Sequence, residues 1–265
     1  MSAMSTAGAP LPALDVSGTD RVPFTRLTAV ELRKMADTKA GLWLLGLIVG
    51  ITAVFMVIFF VVADADDRIF GNFIGVAATP QGFLLPVLGI LLVTSEWSQR
   101  TAMVTFALEP SRPRVILAKV VAAVIVGVGA FVAAIAIGAL CTLVGGAEGG
   151  FDGLKLSVFL LFFGLQVLSV LQGLAYGLIL LNTPAAIVAF FVLPIASSII
   201  FNLVSGLRDS APWLDLGTAQ QPLFEAGTGL ELSGEQYAQL GTTALIWIVL
   251  PFVAGWIRVM RVELK

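Results

Sequence analysis

The chain has 265 residues, of which 58% are hydrophobic and only 12% charged, and its formal net charge is −2. Because soluble domains carry about 25% charged residues, this composition excludes a water-facing surface over most of the chain and predicts a polytopic membrane protein. The weakly negative charge gives no indication of nucleic-acid binding. Histidine is absent and Cys141 is the only cysteine. The sequence therefore also excludes the common zinc and haem sites, Ser-His hydrolases and a disulfide within the chain.

The first 39 residues are predicted to precede the membrane spans. Residues 1–22 are rich in Ser, Ala, Thr, Gly and Pro, and this composition predicts a disordered N-terminal tail. Residues 23–39 combine a helical spacing of apolar side chains with several basic ones. We expect them to form an amphipathic helix at the membrane interface.

Long uncharged runs predict an all-α membrane protein with six transmembrane helices. About 20 apolar residues are needed to cross the hydrocarbon core. The uncharged run 156–207 is long enough for two spans, which we expect to separate at Asn182-Thr183-Pro184. The six-helix domain is predicted to cover residues 40–260, with a short cytoplasmic tail at 261–265. Its spans are predicted at about 41–63, 72–94, 116–144, 156–181, 184–205 and 238–258.

The distribution of basic residues predicts the orientation. If both termini are cytoplasmic, 12 of the 15 Lys and Arg residues lie on the cytoplasmic side, and only Arg68, Lys155 and Arg208 lie outside. This asymmetry follows the positive-inside rule, so we expect a multi-pass protein of the plasma membrane with both termini in the cytoplasm. The outer segment 207–238 is acidic and contains Pro and Gly, yet it keeps several apolar side chains. We expect short helices there that dip back against the membrane.

A polar island, Ser95–Arg114, separates the second and third spans and is the only internal stretch that concentrates basic residues. Thr94 or Ser95 is a suitable N-cap, and Pro110 and Pro113 would stop a helix. These signals predict a short amphipathic helix on the cytoplasmic side of the membrane.

The side chains of this island suit contact with a partner protein. Trp97 would supply a large buried anchor at an interface, and arginine pairs in a bidentate manner with acidic groups. An alternative applies to Arg112, Arg114 and Lys119, which could serve only to set the topology and to reach lipid headgroups.

One face of the fourth span is unusually polar. Helical spacing places Gln166, Ser169 and Gly173 on this face, with Gln172 and Tyr176 beside it. Because glutamine is costly in lipid, the face predicts either close packing between helices or the lining of a translocation path or dimer seam.

Two further spans carry residues that shape helix packing. Gly46 and Gly50 form a GxxxG pair that predicts close packing of the first span. Pro80 and Pro86 in the second span predict either a local bend or a moving, pore-lining helix.

Several kinds of activity have no support in the sequence. No charged side chain lies in the middle of a predicted span, which argues against ion-coupled carriers and proton pumps. The chain has no G-x-x-x-x-G-K-[ST] motif and no G-x-S-x-G motif with a usable base. We therefore expect no enzyme activity, no cofactor and no ATP hydrolysis in this chain.

Five short motifs follow one another in an order that is known from one transporter family. Glu31-Leu-Arg-Lys34 lies in the N-terminal helix, and Ser95-Glu-Trp and Arg100-Thr101 follow the second span. Pro110-Ser-Arg-Pro-Arg114 and Ala118-Lys119 then precede the third span. This arrangement resembles the membrane subunit of ABC-2 type transporters, the permeases that pair with a separate ATPase. The family pattern usually has glycine where this chain has Arg100.

The resemblance implies a mechanism and a set of contact residues. The loop after the second span would form a coupling helix that docks on a cytoplasmic ABC ATPase, and that partner would bind ATP and magnesium. Two permease copies, identical or different, would form the transport unit in the lipid bilayer. The outer segment would contain re-entrant helices, and the exported cargo would be apolar or amphipathic, such as a drug, an antibiotic or a lipid-like compound. The contact with the ATPase would involve Glu96, Trp97, Arg100, Thr101, Arg112 and Arg114.

A second hypothesis keeps the topology but not the transport. In it, the chain is an integral membrane scaffold that recruits a soluble partner through residues 95–114.

Overall fold

The computed structural model describes residues 21–146, 148–152, 156–225 and 232–263, and all regular structure in these ranges is helical. The predicted disordered tail lies outside the described residues except for Arg21 and Val22. Short 3-10 helices occupy Ala65–Asp67 and Ser205–Ser210. The α-helices of the described ranges, α1 to α11 in chain order, are Phe24–Asp37, Lys39–Val62, Phe70–Ser98, Ala102–Leu108, Arg112–Gly145, Leu156–Leu180, Thr183–Leu203, Ala211–Leu214, Leu216–Glu225, Gly234–Ala244 and Leu250–Arg261.

Within the described ranges, six helices are long and apolar enough to cross a membrane, which confirms the predicted number. They are α2, α3, α5, α6, α7 and a continuous helix made of α10, a π-helical turn at Leu245–Val249 and α11. The chain turns between α6 and α7 at the predicted position. There, Asn182 Oδ1 accepts a hydrogen bond from the Ala185 backbone N–H (3.0 Å) and caps α7.

The predicted amphipathic helix corresponds to α1. Thr38 separates it from α2, because its backbone is extended and its Oγ1 accepts a hydrogen bond from the Gly41 N–H (3.1 Å). The buried residues of α1, which are Thr28, Glu31 and Met35, recur every three to four positions and lie on the side that packs against α5 and α2. We call the end of the bundle that carries α1, α4 and the last turn of α11 the basic end.

The centre of the bundle is the contact between α3, the most buried of the six spans, and α6. Gly173 of α6 lies directly against the backbone of Pro86, so a Cβ atom at this position would overlap the Pro86 carbonyl group. A Cβ atom at Gly89 of α3 would lie 2.5 Å from the Val170 carbonyl oxygen. Such a close approach of two backbones requires glycine on both helices.

Hydrogen bonds across the same contact explain the polar face of α6. Pro86 has no N–H, so the Gly82 carbonyl loses its partner within α3, and Ser169 Oγ donates a hydrogen bond to it instead (3.2 Å). Gln166 Nε2 donates to Gln81 Oε1, and Gln81 Nε2 donates to a backbone carbonyl of α5 (3.0 Å). These bonds join three spans in the apolar interior.

The face that was predicted to line a translocation path or dimer seam therefore lies inside one chain. Gln166, Gln172 and Tyr176 are buried, Ser169 is half-buried, and Gly173 has no room for a side chain. Neighbouring helices of the same chain cover most of these residues. Their part in a translocation path or a dimer seam stays a prediction.

The small residues of the first span, unlike Gly173, do not pack against another described helix. Nothing lies within 4 Å of a Cβ atom placed at Gly46 or Gly50. The expected close packing around this GxxxG pair is therefore not found among the described residues, which leave this face of α2 open.

Short helices fold back on the bundle at its opposite end, in the segment where the sequence predicted them. The first of these, α8, is contacted by Trp247, whose Nε1 donates a hydrogen bond to the Leu214 carbonyl (2.8 Å). The second, α9, packs Leu223 against Leu161 and Leu165 of α6. Part of this segment, 226–231, lies outside the described residues, and the predicted re-entry into a membrane stays a prediction.

A buried carboxylate ties these short helices to α7. Asp215 accepts hydrogen bonds from Ser197 Oγ (2.8 Å), from Ser198 Oγ (2.9 Å) and from both the N–H and the Oγ1 of Thr218 (2.9 and 2.8 Å). Burial alone would raise the pKa of the Asp215 carboxyl, but these donors hold it below its usual value. Asp215 is therefore ionised at neutral pH and links the start of α9 to α7.

We expect Gly173→Ala to destabilise the bundle, because the added methyl group would overlap a backbone carbonyl that cannot move without bending α3. Overpacking of a tight core costs about 1–3 kcal/mol. Gly46→Ala is the matched control, since that site is open. Reversible unfolding by SDS in detergent micelles measures both free energies of unfolding, and equal values for the two variants would contradict the close α3–α6 contact.

Candidate functional site

Four charged side chains from three helices meet at the basic end, and we call them the charge cluster. Glu31 and Lys34 lie on α1, Glu96 in the last turn of α3 and Lys119 near the start of α5. Lys34 Nζ lies 2.8 Å from Glu31 Oε1 and 2.5 Å from Glu96 Oε1. Lys119 Nζ lies 2.7 Å from Glu31 Oε2 and 3.0 Å from Glu96 Oε1. Each carboxylate therefore contacts both ammonium groups.

The charge cluster is largely removed from solvent. The side chains of Glu31, Glu96 and Lys119 are 5%, 6% and 4% exposed, and only Lys34 reaches the surface, at 37%. Because a buried charge without a partner costs several kcal/mol, burial of this group depends on its balance of two anions and two cations. Lys119 also donates to the Leu92 carbonyl (3.0 Å). Its ammonium group is thus held in the interior of the bundle.

The protonation of Lys34 is fixed by its neighbours. Burial alone would lower the pKa of the Lys34 ammonium, but the carboxylates of Glu31 and Glu96 raise it above its usual value of 10.5. The stabilisation from this charge is therefore fully present below pH 10.5 and is lost only as the pH rises through the higher pKa of the folded state. Lys34 remains charged at physiological pH.

Two residues after Glu96, α3 ends at Ser98 and a turn centred on Arg100 follows. The Arg100 N–H donates to the Trp97 carbonyl (3.2 Å) and the Thr101 N–H to the Glu96 carbonyl (2.8 Å), a pair of bonds that defines a Schellman motif. Arg100 has a φ angle of 57°, in the left-handed region. This conformation favours glycine, whereas the chain has arginine at this position.

The predicted N-cap of the loop helix at Thr94 or Ser95 is wrong. Both residues lie inside α3, where Thr94 Oγ1 donates to the Ile90 carbonyl (2.9 Å). The short helix of the loop is α4, which begins only after the Arg100 turn. Glu96 therefore belongs to the last turn of a span and not to the first turn of the loop helix.

One face of α4 is fixed to the bundle. Ala102 is buried, and Thr105 Oγ1 donates a hydrogen bond to Glu96 Oε1 (3.3 Å). Phe106 packs on the core, and its ring centroid lies 5.3 Å from the Arg112 guanidinium carbon. The other face of α4 is exposed and apolar and consists of Met103, Val104, Ala107 and Leu108.

Two arginines attach the start of α5 to its surroundings. Arg112 Nη1 lies within hydrogen-bond distance of three backbone carbonyl oxygens at the C-terminal end of α11 (2.7–3.1 Å). Carbonyl groups at a helix end have no partner within the helix, so Arg112 satisfies them and joins α5 to α11. Arg114 pairs with Glu109 in the α4–α5 turn, with 2.9 Å between Nη1 and Oε2.

The structure divides the six predicted contact residues into two groups. Arg100 and Thr101 are exposed beside α4. The other four have partners within the chain, in the charge cluster, the hydrophobic core, the end of α11 and the α4–α5 turn respectively. These four are Glu96, Trp97, Arg112 and Arg114.

Sequence reasoning missed the apolar face of α4. Residues 102–108 are apolar except for Thr105, so no apolar period distinguishes the face that packs on the bundle from the exposed face. It also missed the meeting of the charge cluster, although all four residues lie in the quoted motifs. Their contacts span up to 88 residues of sequence, and no local pattern reports such a distance.

Neither a scan against protein-family models nor a search of curated proteins gave a match for this chain. Within the described residues, no group of three or more His, Cys, Asp or Glu side chains is placed to hold a metal ion. What the arrangement provides is a rigid support, through α1, α3 and α5, for an exposed helix at the basic end.

We expect Lys119→Met to destabilise the protein by about 3–5 kcal/mol, because it leaves two buried carboxylates with a single cation. Lys34→Met leaves the same two carboxylates with a single cation, but we expect it to cost only about 1 kcal/mol, because water reaches the partly exposed Lys34 position and can hydrate the carboxylates in place of the ammonium group. SDS unfolding of both variants provides the comparison. Equal costs would show that burial of the charge cluster does not control its energetics.

We expect Arg100→Gly to raise the free energy of unfolding by about 1 kcal/mol, because glycine relieves the left-handed backbone conformation. Arg100→Ala also removes the guanidinium group but keeps the Cβ atom, so its stability should match that of the wild type. If both variants respond alike in the same unfolding assay, the turn at position 100 is not left-handed.

Proposed function

We propose that this chain is the membrane-spanning subunit of an ABC-2 type transporter. It would act in the plasma membrane, with the basic end and both termini in the cytoplasm, and would export an apolar or amphipathic compound. Most of the described Lys and Arg residues lie at the basic end, in agreement with the positive-inside rule. The absence of charge from the middle of the described spans supports an apolar or amphipathic cargo.

The observation that carries the proposal is the construction of α4. A helix with an exposed apolar face is unusual at the water-facing end of a bundle, and such faces mark interaction sites. Met103 is 50% exposed and Leu108 76% exposed, with Arg100 beside them. An apolar centre with an arginine at its edge has the composition of a protein interface.

The supports of α4 suit the transmission of force. A displacement of α4 would act on α3 through the Arg100 turn and on α5 through the short connection at Glu109. It would act on α1 through the bond between Thr105 and the charge cluster. A soluble ATPase that binds ATP and magnesium and changes shape could thus move three helices by pushing on one. The chain itself would need no cofactor.

A second copy of a permease would complete the transport unit. The least buried spans in the chain are α7, α2 and the α10–α11 helix, and the open face at Gly46 and Gly50 lies on α2. Small residues on an open face permit close contact between helices of two subunits. The cargo path would then run between two copies, identical or different.

The main alternative is a scaffold that uses α4 to recruit a soluble partner without transport. The exposed apolar face of α4 supports it equally well, since that face indicates a partner but not its activity. The two functions differ in what the partner does with nucleotide.

The test is purification of the tagged chain, in mild detergent, with the proteins bound to it. We expect a soluble subunit with a G-x-x-x-x-G-K-[ST] motif, in equal number to the permease chains, and ATP hydrolysis by the complex. Met103→Glu should reduce the bound ATPase at least about tenfold, because it places an unpaired charge in an apolar contact. Tyr237→Glu is the matched control, since Tyr237 is 56% exposed at the opposite end of the bundle.

Two results would contradict the proposal. If the stoichiometric partner hydrolyses no nucleotide, the chain is a scaffold and not a transporter subunit. Full binding of the ATPase to a correctly inserted Met103→Glu variant would show that α4 is not the docking site.

A further inference from the structure

A cavity of about 800 Å³ opens at the basic end among α1 to α5. Its volume falls within the 300–1,000 Å³ of small-molecule pockets. The wall toward the centre of the bundle is apolar, whereas α1 contributes the charged groups of Arg26, Glu31 and Lys34 on the other side, and α4 adds the hydroxyl group of Thr105. The apolar wall includes Leu44, Leu88, Leu91, Leu92, Val115 and Ala118.

Helix α3 lines the cavity from Leu88 to Ser98, and the side chains that line it change from apolar to polar toward the C-terminal end of the helix. Leu88 and Leu91 lie at the apolar end, and Ser95, Ser98 and Gln99 follow toward the basic end. With a rise of 1.5 Å per residue, Leu88 and Gln99 are about 16 Å apart along the helix axis. This length and this change of polarity match an extended acyl chain with a polar headgroup.

The charges at the polar end favour an anionic headgroup. The charge cluster is neutral as a whole, and Glu109 is paired with Arg114. Among the described residues that line the cavity, the one other charged side chain is that of Arg26, an exposed residue of α1. Lys34 also lines the cavity, and its ammonium group has three N–H donors, of which the two carboxylates of the charge cluster take two.

We propose that this cavity binds an amphiphile whose acyl chain lies along α3 and whose anionic headgroup, a carboxylate or phosphate, lies at Arg26 and Lys34. Fatty acids and phospholipids share this chemistry. Val104 and Leu108 of α4 form part of the wall, so a bound acyl chain would also support one side of that helix. The inference concerns a single chain and does not rest on the proposed transport function.

The probe is dansyl-labelled undecanoic acid, added to the purified full-length chain in a non-ionic detergent and followed by fluorescence. We expect saturable binding of one probe per chain, and binding of its methyl ester about tenfold weaker, because the ester lacks the charge. Displacement by palmitate and by lysophosphatidylglycerol then distinguishes a fatty acid from a phospholipid as the preferred ligand.

The matched variants are Arg26→Gln and Arg33→Gln. Both remove one exposed arginine from α1, but only Arg26 lines the cavity. We expect Arg26→Gln to weaken binding of the acid about tenfold, to the level of the ester, and Arg33→Gln to have no effect. Ser95→Phe, which adds volume to the middle of the cavity, should abolish saturable binding.

Three results would overturn the inference. Equal binding of acid and ester would show that the site does not recognise an anionic headgroup. Equal loss of affinity in the two arginine variants would show that the acid is attracted to the basic surface in general. If the probe binds only after residues 1–20 are deleted, the cavity is the binding site of the N-terminal segment and not of an amphiphile. If Ser95→Phe does not fold, as judged by thermal unfolding, the two arginine variants decide alone.

Discussion

Two glutamates and two lysines share one buried site at the basic end, and the arrangement of α1, α3, α4 and α5 depends on their balance. Three of the four side chains are almost fully buried, so loss of one partner leaves an excess charge in a site that solvent hardly reaches. Glu96 has a central position because its carboxylate joins both lysines and Thr105, while its carbonyl closes the Arg100 turn. The need to balance these buried charges therefore also fixes the position of α4.

The contact between α3 and α6 extends this support into the membrane-spanning part. The glycines at 89 and 173 allow the two backbones to touch, and Ser169 satisfies the carbonyl that Pro86 leaves free. The proline of α3 and the polar face of α6 are therefore parts of one interface. Because α3 carries both this interface and Glu96, any movement of α4 would reach α6 through one continuous helix.

The features that depend on local sequence patterns, the six spans and α1, could be predicted from the sequence. The uncharged runs and the Asn182 break define six spans, and the periodicity of 23–39 defines α1. The N-cap was predicted wrongly because threonine and serine also occur inside membrane helices, where their hydroxyls bond to a carbonyl four residues earlier, as Thr94 does. Lys119 could be interpreted as a residue that only sets the topology, because the sequence shows a charge near the end of a span. The sequence does not show that this charge is buried against Glu31 and Glu96. The burial of Gln166 and Gly173 against α3 likewise depends on contacts between distant segments.

If the charge cluster holds α4 in one position, α4 lies at a fixed distance from α1, and pulsed electron paramagnetic resonance measures the distribution of that distance. Spin labels at Met103→Cys and Arg33→Cys report α4 relative to α1, and Cys141→Ala removes the only native cysteine. We expect one narrow distance in this background. We expect a broad distribution after the charge-balanced change Glu96→Ala with Lys119→Met. An unchanged narrow distribution in that folded variant would show that the charge cluster does not hold α4 in place.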